Sequence, residues 1–387
     1  MTEQTTLSMF MKKSNKIPIL SKKRLKTSEI ISAIEMRPWK YGEFAAQNWG
    51  NWLHHMSAYV GKLKPGLAHW LIRISSIEND VVLDPFCGIG TVPLEADLIG
   101  RKSIGIDLSP YASAIAKAKF DRKPLEMHLE YLNSLDLDSN KIKTSQISPF
   151  IKQFFHEKTL REIFALKKIL LNQKQDFLMG CLLGILHGHR PGHLSATTSL
   201  VIPFTPKTVP EYREVIPRMI DKVKRMYLSG FPLKTEGQII FGDSRMKHIP
   251  DNSVDVVISS PPYYNTLDYV NDNRLRLAFL GYDELGREHL SDSLIQHKSD
   301  YLENMRIVGE RLREIMKNNS LCIFVLGDVH LSKKTINTAS DIAELYKKLG
   351  FTIYEKIIED KMPDNKSHPS SYKRRKLDRI LIMKNKK

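Results

Sequence analysis

The sequence predicts an α/β protein: a sheet covered by helices on both faces, interrupted by a mainly helical insert. Three observations predict it. Short, nearly continuous apolar runs recur along the chain, as expected of strands buried on both faces. Helical patterns separate them, as crossover connections require. One separation, residues 108–242, is far longer than a single crossover needs, so it must hold structure of its own.

Residues 1–35 are polar and lysine-rich ("MKKSNKIPILSKKRLKTS") and read as a flexible basic arm. The stretch "LKPGLAHWLIRISS" predicts a helix opening at Pro65, with Leu67, Trp70, Leu71 and Ile74 on one face. The expected strands are 81–84, 103–107, 238–243, 254–259, 321–328, 351–358 and 378–384, the last two as an antiparallel pair. The insert spans about residues 121–237. In it, Thr159 and Glu162 form a T-x-x-E capping box. A second helix starts at Asp176 and stops at Gly188, and a third runs from Pro210 to Gly230. The third has Ile216, Met219, Ile220 and Val223 on its apolar face, and Pro217 is a possible kink. The domain reading is therefore an arm (1–35), a first sheet part (36–120), the insert (121–237) and a second sheet part (238–387).

The chain of 387 residues carries 59 Lys and Arg against 43 Asp and Glu, a net charge of +16. Such an excess points to a polyanionic partner, most often nucleic acid. Cys87, Cys181 and Cys322 are far apart and form no C-x-x-C pair, which argues against a zinc site or a disulfide framework. The first residues lack the apolar core of a signal peptide, and "FLMGCLLGIL" is too short to span a bilayer. A cytoplasmic protein without a membrane partner is the expectation.

Chemistry is concentrated at strand ends. "VVLDPFCGIGTVPLEA" reads as strand, glycine turn and helix, with Gly88 and Gly90 admitting a ligand close to backbone. Asp107 closes the next strand, where a carboxylate can accept from ribose hydroxyls. The turn is neither G-x-G-x-x-G nor a phosphate loop, so a nucleoside-containing cofactor fits better than a pyrophosphate. Asp243, at another strand end, can accept from an adenine amine, or simply cap a helix. The sharpest signal is "VDVVISSPPYY": Pro261 and Pro262 stop the strand, Ser260 adds a hydroxyl, and Tyr263 adds a flat face. Acceptors beside an aromatic wall suit a planar ring bearing an exocyclic amine.

"DPFCGIGT", Asp107, "GDS" and "SPPY" resemble motifs I to IV of the S-adenosylmethionine-dependent DNA amino-methyltransferases, and "HHMSAYVGKLKPGLAHWLI" resembles their motif X. The resemblance covers roughly residues 36–119 and 238–384. It implies a seven-stranded Rossmann-like class I methyltransferase sheet. Ser-Pro-Pro-Tyr in place of Asp-Pro-Pro-Tyr is similar to the cytosine-N4 enzymes of restriction–modification systems, and the cofactor-first order is similar to their γ arrangement. The long insert departs from the compact pattern and is a possible DNA-recognition region.

By the resemblance, Asp84, Phe86, Gly88 and Gly90 would cradle the methionine part of S-adenosylmethionine, Asp107 its ribose and Asp243 its adenine. Tyr59 and Lys64 would touch the methionine end. The implied substrate is double-stranded DNA, with the target cytosine flipped out and stacked on Tyr263. Ser260 and the Pro261 carbonyl would accept from its amine, with Pro262 completing the catalytic tetrapeptide. No metal is required, and a restriction endonuclease could act separately.

A 5-methylcytosine mechanism would need a Pro-Cys nucleophile, which is absent. Alternatives are an adenine-N6 DNA enzyme, an RNA guanine-N2 enzyme and a non-catalytic DNA-binding subunit. "HGHRPGH", with His187, His189 and His193, can be read as a metal site, a polar loop near DNA or a plain helix end. No acidic or thiolate partner lies nearby. Arg274, Arg276 and the "KRRK" run at 373–376 can be read as phosphate contacts or as solvated surface.

Overall fold

A computed structural model describes residues 24–46, 48–188, 192–198, 205–262, 267–295, 300–331, 334–354, 357–361 and 377–387. Its centre is a sheet built from β1 (Val81–Asp84), β2 (Lys102–Asp107), β3 (Gln238–Phe241), β4 (Val254–Ser259) and β5 (Met316–Gly327). A small separate hairpin follows, β6 (Val329–Leu331) and β7 (Lys334–Ile336). The chain then returns to the sheet with β8 (Phe351–Ile353), β9 (Ile358–Lys361) and β10 (Leu377–Asn385). The order is β3-β2-β1-β4-β5-β10-β8, and β9 also pairs with β10. The first five strands are parallel, and β10 is antiparallel to β5, β8 and β9. This is the Rossmann-like class I methyltransferase arrangement. One expected strand, 351–358, is divided: β8 and β9 pair with opposite ends of β10.

Strand alternation divides the core. Val82, Val256, Ile258, Ile323, Val325, Ile380 and Ile382 point to one face. There they pack on α1 (Thr27–Glu35), α2 (Pro65–Ser75) and part of α3 (Thr91–Leu98). Leu83, Val257, Cys322, Phe324, Leu326, Leu381 and Met383 point to the other, against two later helices described below.

A third cluster is helical. It joins α4 (Pro110–Ala118), α5 (Leu125–Ser134), α6 (Glu157–Asn172), α7 (Asp176–Leu186) and α8 (Val215–Met226) to α9 (Arg274–Leu280) and α10 (Glu284–Ser293). The insert thus shares one core with α4, α9 and the segment around Leu53 and Met56. Helices α11 (Tyr301–Ile315) and α12 (Thr338–Lys348) cover the second sheet face.

Three local expectations change. The arm is not free through residue 35: α1 buries Ile30, Ala33 and Ile34, and Arg24 pairs with Asp80 and Asp255. Residues 1–23 lie outside the described residues. Thr159 and Glu162 are not a capping box, because α6 starts at Glu157 with His156 as its cap. Instead, the Thr159 hydroxyl exchanges hydrogen bonds with Arg213 backbone, and the Glu162 carboxylate accepts from the Val215 amide and the Tyr212 hydroxyl. Pro217 sits in the first turn of α8, where its missing N–H costs nothing, so no kink is needed.

Candidate active site

The strand order reverses between β1 and β4, and a cavity opens there at the carboxyl ends of the strands. Such switch points are where open α/β sheets hold ligands. Counting its open mouth and the solvent in it, the space there amounts to about 840 Å³.

Asp84, Phe86 and Gly88 line it, with Tyr59, Asp107, Asp243, Ser260 and Pro262. Gly90, Lys64 and Pro261 do not. Gly90 caps α3 at φ +76°, and a Cβ there would stand 3.0 Å from Ala116, so this glycine brings α3 against α4. Lys64 precedes α2 and donates to the carbonyls of Trp39 and Ala45. Pro261 is buried beside the cavity. Tyr263 lies outside the described residues.

The glycine turn is held from both sides. The Asp84 carboxylate accepts from the Phe86 amide at 3.0 Å and from the Ser259 hydroxyl at 2.6 Å. Asp107 accepts the Gly88 amide on one oxygen and the Ser109 amide on the other, both at 2.8 Å. Gly88 has φ +52°, and a Cβ there would stand 3.3 Å from the Tyr59 ring. Burial lifts the Asp84 carboxyl to about 7, against the hydrogen bonds from Ser259 and Phe86. It lifts Asp107 to about 6, against the two amides. The Cys87 thiol is pushed up strongly by burial and stays protonated. It packs under Gly105, a small apolar role.

Asp243 is less free than its position suggests. Arg245 grips both its oxygens at 2.6–3.0 Å, and the same guanidinium donates to Asn304 and to the Ser293 carbonyl. Burial would raise this carboxyl, but the Arg245 hydrogen bonds hold it below the ordinary value. Arg245 therefore ties Asp243 to the last residue of α10, which also lines the cavity, and to α11. At the end of β4, the Ser260 hydroxyl donates to the Val325 carbonyl at 3.0 Å.

The lining also includes residues that the sequence did not single out, among them Gly61, Lys62, Ser109, Tyr269 and Leu294. Tyr269 stacks on Tyr59 with ring centroids 6.1 Å apart. The Tyr59 segment is itself anchored to α3: Glu95 accepts from His54 at 2.5 Å and from His69 at 2.8 Å. Burial holds His54 near 4, so it is neutral, while the two histidine hydrogen bonds outweigh burial at Glu95 and hold it near 2.

Two sequence candidates have other roles. Arg276 is buried, donates to the Leu183 and His187 carbonyls and lies over Tyr111, so it joins α9 to α7 and grips no phosphate. His187 is buried and bonded to Ser195, and His189 lies outside the described residues. Among the described residues, no group of three or more His, Cys, Asp or Glu is gathered for a metal ion. No described helix is long and apolar enough to cross a membrane. Arg274 lies over Phe150, and the 373–376 run is outside the described residues.

Residues 9–118 match the family model described as DNA methylase. The type II methyltransferase M.BsoBI of Geobacillus stearothermophilus is 25% identical over 274 residues, covering 60% of this chain and 53% of that protein. A tRNA (guanine(10)-N2)-dimethyltransferase of Methanocaldococcus jannaschii is 30% identical over 140 residues, covering 35% of each. The chain thus spans about half the length of the first relative and about a third of the second. A solved SAM-dependent methyltransferase of Methanosarcina mazei is 9% identical at a TM-score of 0.34, covering 85% of this chain and 99% of that one. The similarity in sequence is to amino-methyltransferases.

Proposed function

We propose that this chain is an S-adenosylmethionine-dependent DNA methyltransferase that modifies the exocyclic N4 amine of a flipped-out cytosine. The observation that carries this reading is the Ser260 hydroxyl, fixed by its donation to Val325 and facing the same cavity as Asp84 and Asp107. A hydroxyl is uncharged and can accept as well as donate a hydrogen bond.

The cavity suits the cofactor. The turn at Gly88 leaves no room for a side chain under Tyr59. Each Asp107 oxygen spends one lone pair on an amide and keeps another for a ribose hydroxyl. With Asp243 held by Arg245, the adenine amine would share an oxygen already in use, and the neighbouring lining at Ser244 and Ser293 offers further polar groups.

S-adenosylmethionine supplies a methyl group on a sulfonium, activated enough that no covalent enzyme intermediate is needed. Ser260 Oγ, with the Pro261 carbonyl as second acceptor, would take hydrogen bonds from the target amine and favour a pyramidal nitrogen. Pro262 and Tyr263 would hold the base in plane, and the departing amine proton passes to solvent. Positioning supplies much of the acceleration. DNA as substrate is supported by the DNA methylase match and the net charge of +16. The insert, with Lys224 and Arg225 on the outer side of α8, is the proposed DNA-recognition region.

A second reading is favoured by one observation, the similarity to tRNA guanine-N2 enzymes. Nucleoside mass spectrometry separates the two. Unmethylated DNA and an RNA pool are each incubated with protein and labelled S-adenosylmethionine, then digested. Labelled N4-methylcytosine in DNA is expected. N6-methyladenine would overturn the base assignment, and label confined to RNA would overturn the substrate. In the same assay Ser260→Ala should lower turnover about 10²-fold while cofactor affinity stays within about twofold, as for loss of a group acting mainly in the transition state.

A further inference from the structure

We propose that Trp52 and His55 form a stacking platform for a base that has left the duplex; this rests on the reading of the chain as a DNA methyltransferase. The two residues begin and end a short 3₁₀ turn, Trp52–His55. Of the four tryptophans, Trp39 and Trp70 are buried, and Trp49 packs edge-on against Phe44 and His69. Trp52 is 38% exposed. His55 is exposed beside it, with ring centroids 5.4 Å apart and ring planes at 57°. The rings thus make a corner: a base stacked on the indole would meet the imidazole at its edge.

The insert holds this corner in place. Asn51 caps the turn by accepting from the Leu53 amide at 3.0 Å, and its own side-chain nitrogen donates to the Gly230 carbonyl at 2.8 Å. The Trp52 amide donates to the Ser229 hydroxyl at 3.2 Å, and the Lys222 ammonium donates to the His55 carbonyl at 2.8 Å. Leu53 is fully buried in the core shared with α8. The backbone is fixed while both rings stay outside, so little freedom is lost when a planar ligand lands on them. Charge decides which ligand. Lys224 and Arg225 follow Lys222 within one turn of α8. Arg218, Lys224 and Arg225 outnumber Asp221 in the notch that they line with Gly192. Cations beside exposed rings suit unpaired nucleic acid: the cations hold phosphates, and the rings stack bases of any sequence. Flipping a target leaves its partner base unpaired, so the proposed reaction itself creates such a base.

The test is fluorescence anisotropy on the full chain with two DNA probes: a fully paired duplex, and the same duplex interrupted by a short single-stranded gap. The unsubstituted protein should prefer the gapped probe. Trp52→Leu should weaken binding of the gapped probe by about 10- to 100-fold, the usual worth of one stacked base, and so remove the preference. It should leave the paired duplex, and S-adenosylhomocysteine measured by calorimetry, within about twofold. Trp52→Phe keeps a ring and should retain most of the preference. No preference for the gap in the unsubstituted protein, or a preference that survives Trp52→Leu, would overturn the proposal. Equal weakening of both probes, or a parallel loss of S-adenosylhomocysteine affinity, would assign Trp52 to the packing of its turn and also overturn it. Failure of the unsubstituted protein to bind either DNA while it still binds S-adenosylhomocysteine would instead overturn the DNA reading, and this inference with it.

Discussion

Asp107 shows how much one carboxylate does here. It fastens two amides of the turns around the cavity, and burial sets its pKa at about 6. The ionised form is the better acceptor for ligand hydroxyls, so binding draws the group toward its charged state. The sign follows: affinity for S-adenosylhomocysteine should be full above about pH 7 and decline as pH falls through about 6. Asp107→Asn should weaken binding and remove that step. Calorimetry across this range checks it; a pH-independent affinity in the unsubstituted protein would contradict the assignment. At this scale the motif residues at strand ends were legible, because their residue types are demanded locally. Lys62, Arg245 and Tyr269 were not, because nothing beside them in sequence says which way they face.

Helix α7 is nearly all apolar, and its docking depends on two residues without side chains. A Cβ on Gly180 would stand 2.3 Å from Ala118 Cβ, and one on Gly184 would stand 1.9 Å from the Met56 carbonyl oxygen. These four-spaced glycines lie on one helix face and let α7 approach both α4 and the segment leading to Tyr59. Gly184→Ala meets backbone, which cannot swing aside. It should cost about 1–3 kcal/mol or more in overpacking, despite alanine's better helix propensity. Thermal melts should show the lower midpoint; an unchanged or raised one would mean that α7 is not docked in this way. The same element view corrects Thr159 and Glu162. A T-x-x-E pattern is a cap only if the helix begins there, and His156 begins it one turn earlier.

For the whole molecule, the excess of positive charge is the property with the largest reach. If the chain binds duplex DNA, affinity should fall steeply with salt as bound cations are released, by about 10³-fold between 50 and 200 mM for a contact set of about six phosphates. Lys224→Glu with Arg225→Glu should weaken binding and flatten the salt slope while leaving S-adenosylhomocysteine affinity unchanged. Fluorescence anisotropy against ionic strength measures both. An unaltered slope would move the recognition surface away from α8. The insert's core includes Leu53, Met56, Tyr111 and Phe279, so a truncation that removes it would expose α4 and α9 as well.

The sequence by itself determined the strand ends, the glycine turn and the proline stop after β4. Each follows from a local rule: alternation or continuity of apolar residues, the need for φ > 0, and the missing N–H of proline. It also determined that a long helical insert separates β2 from β3. Only the tertiary structure decided that Arg276 is buried, that residues 27–35 are a packed helix rather than an arm, that Arg245 occupies Asp243, and that Lys62 rather than Lys64 lines the cavity. Those are questions of direction and partner. Two lysines two residues apart are equivalent in composition and charge; the fold separates them, because Lys62 lines the cavity while Lys64 is drawn to the Trp39 and Ala45 carbonyls.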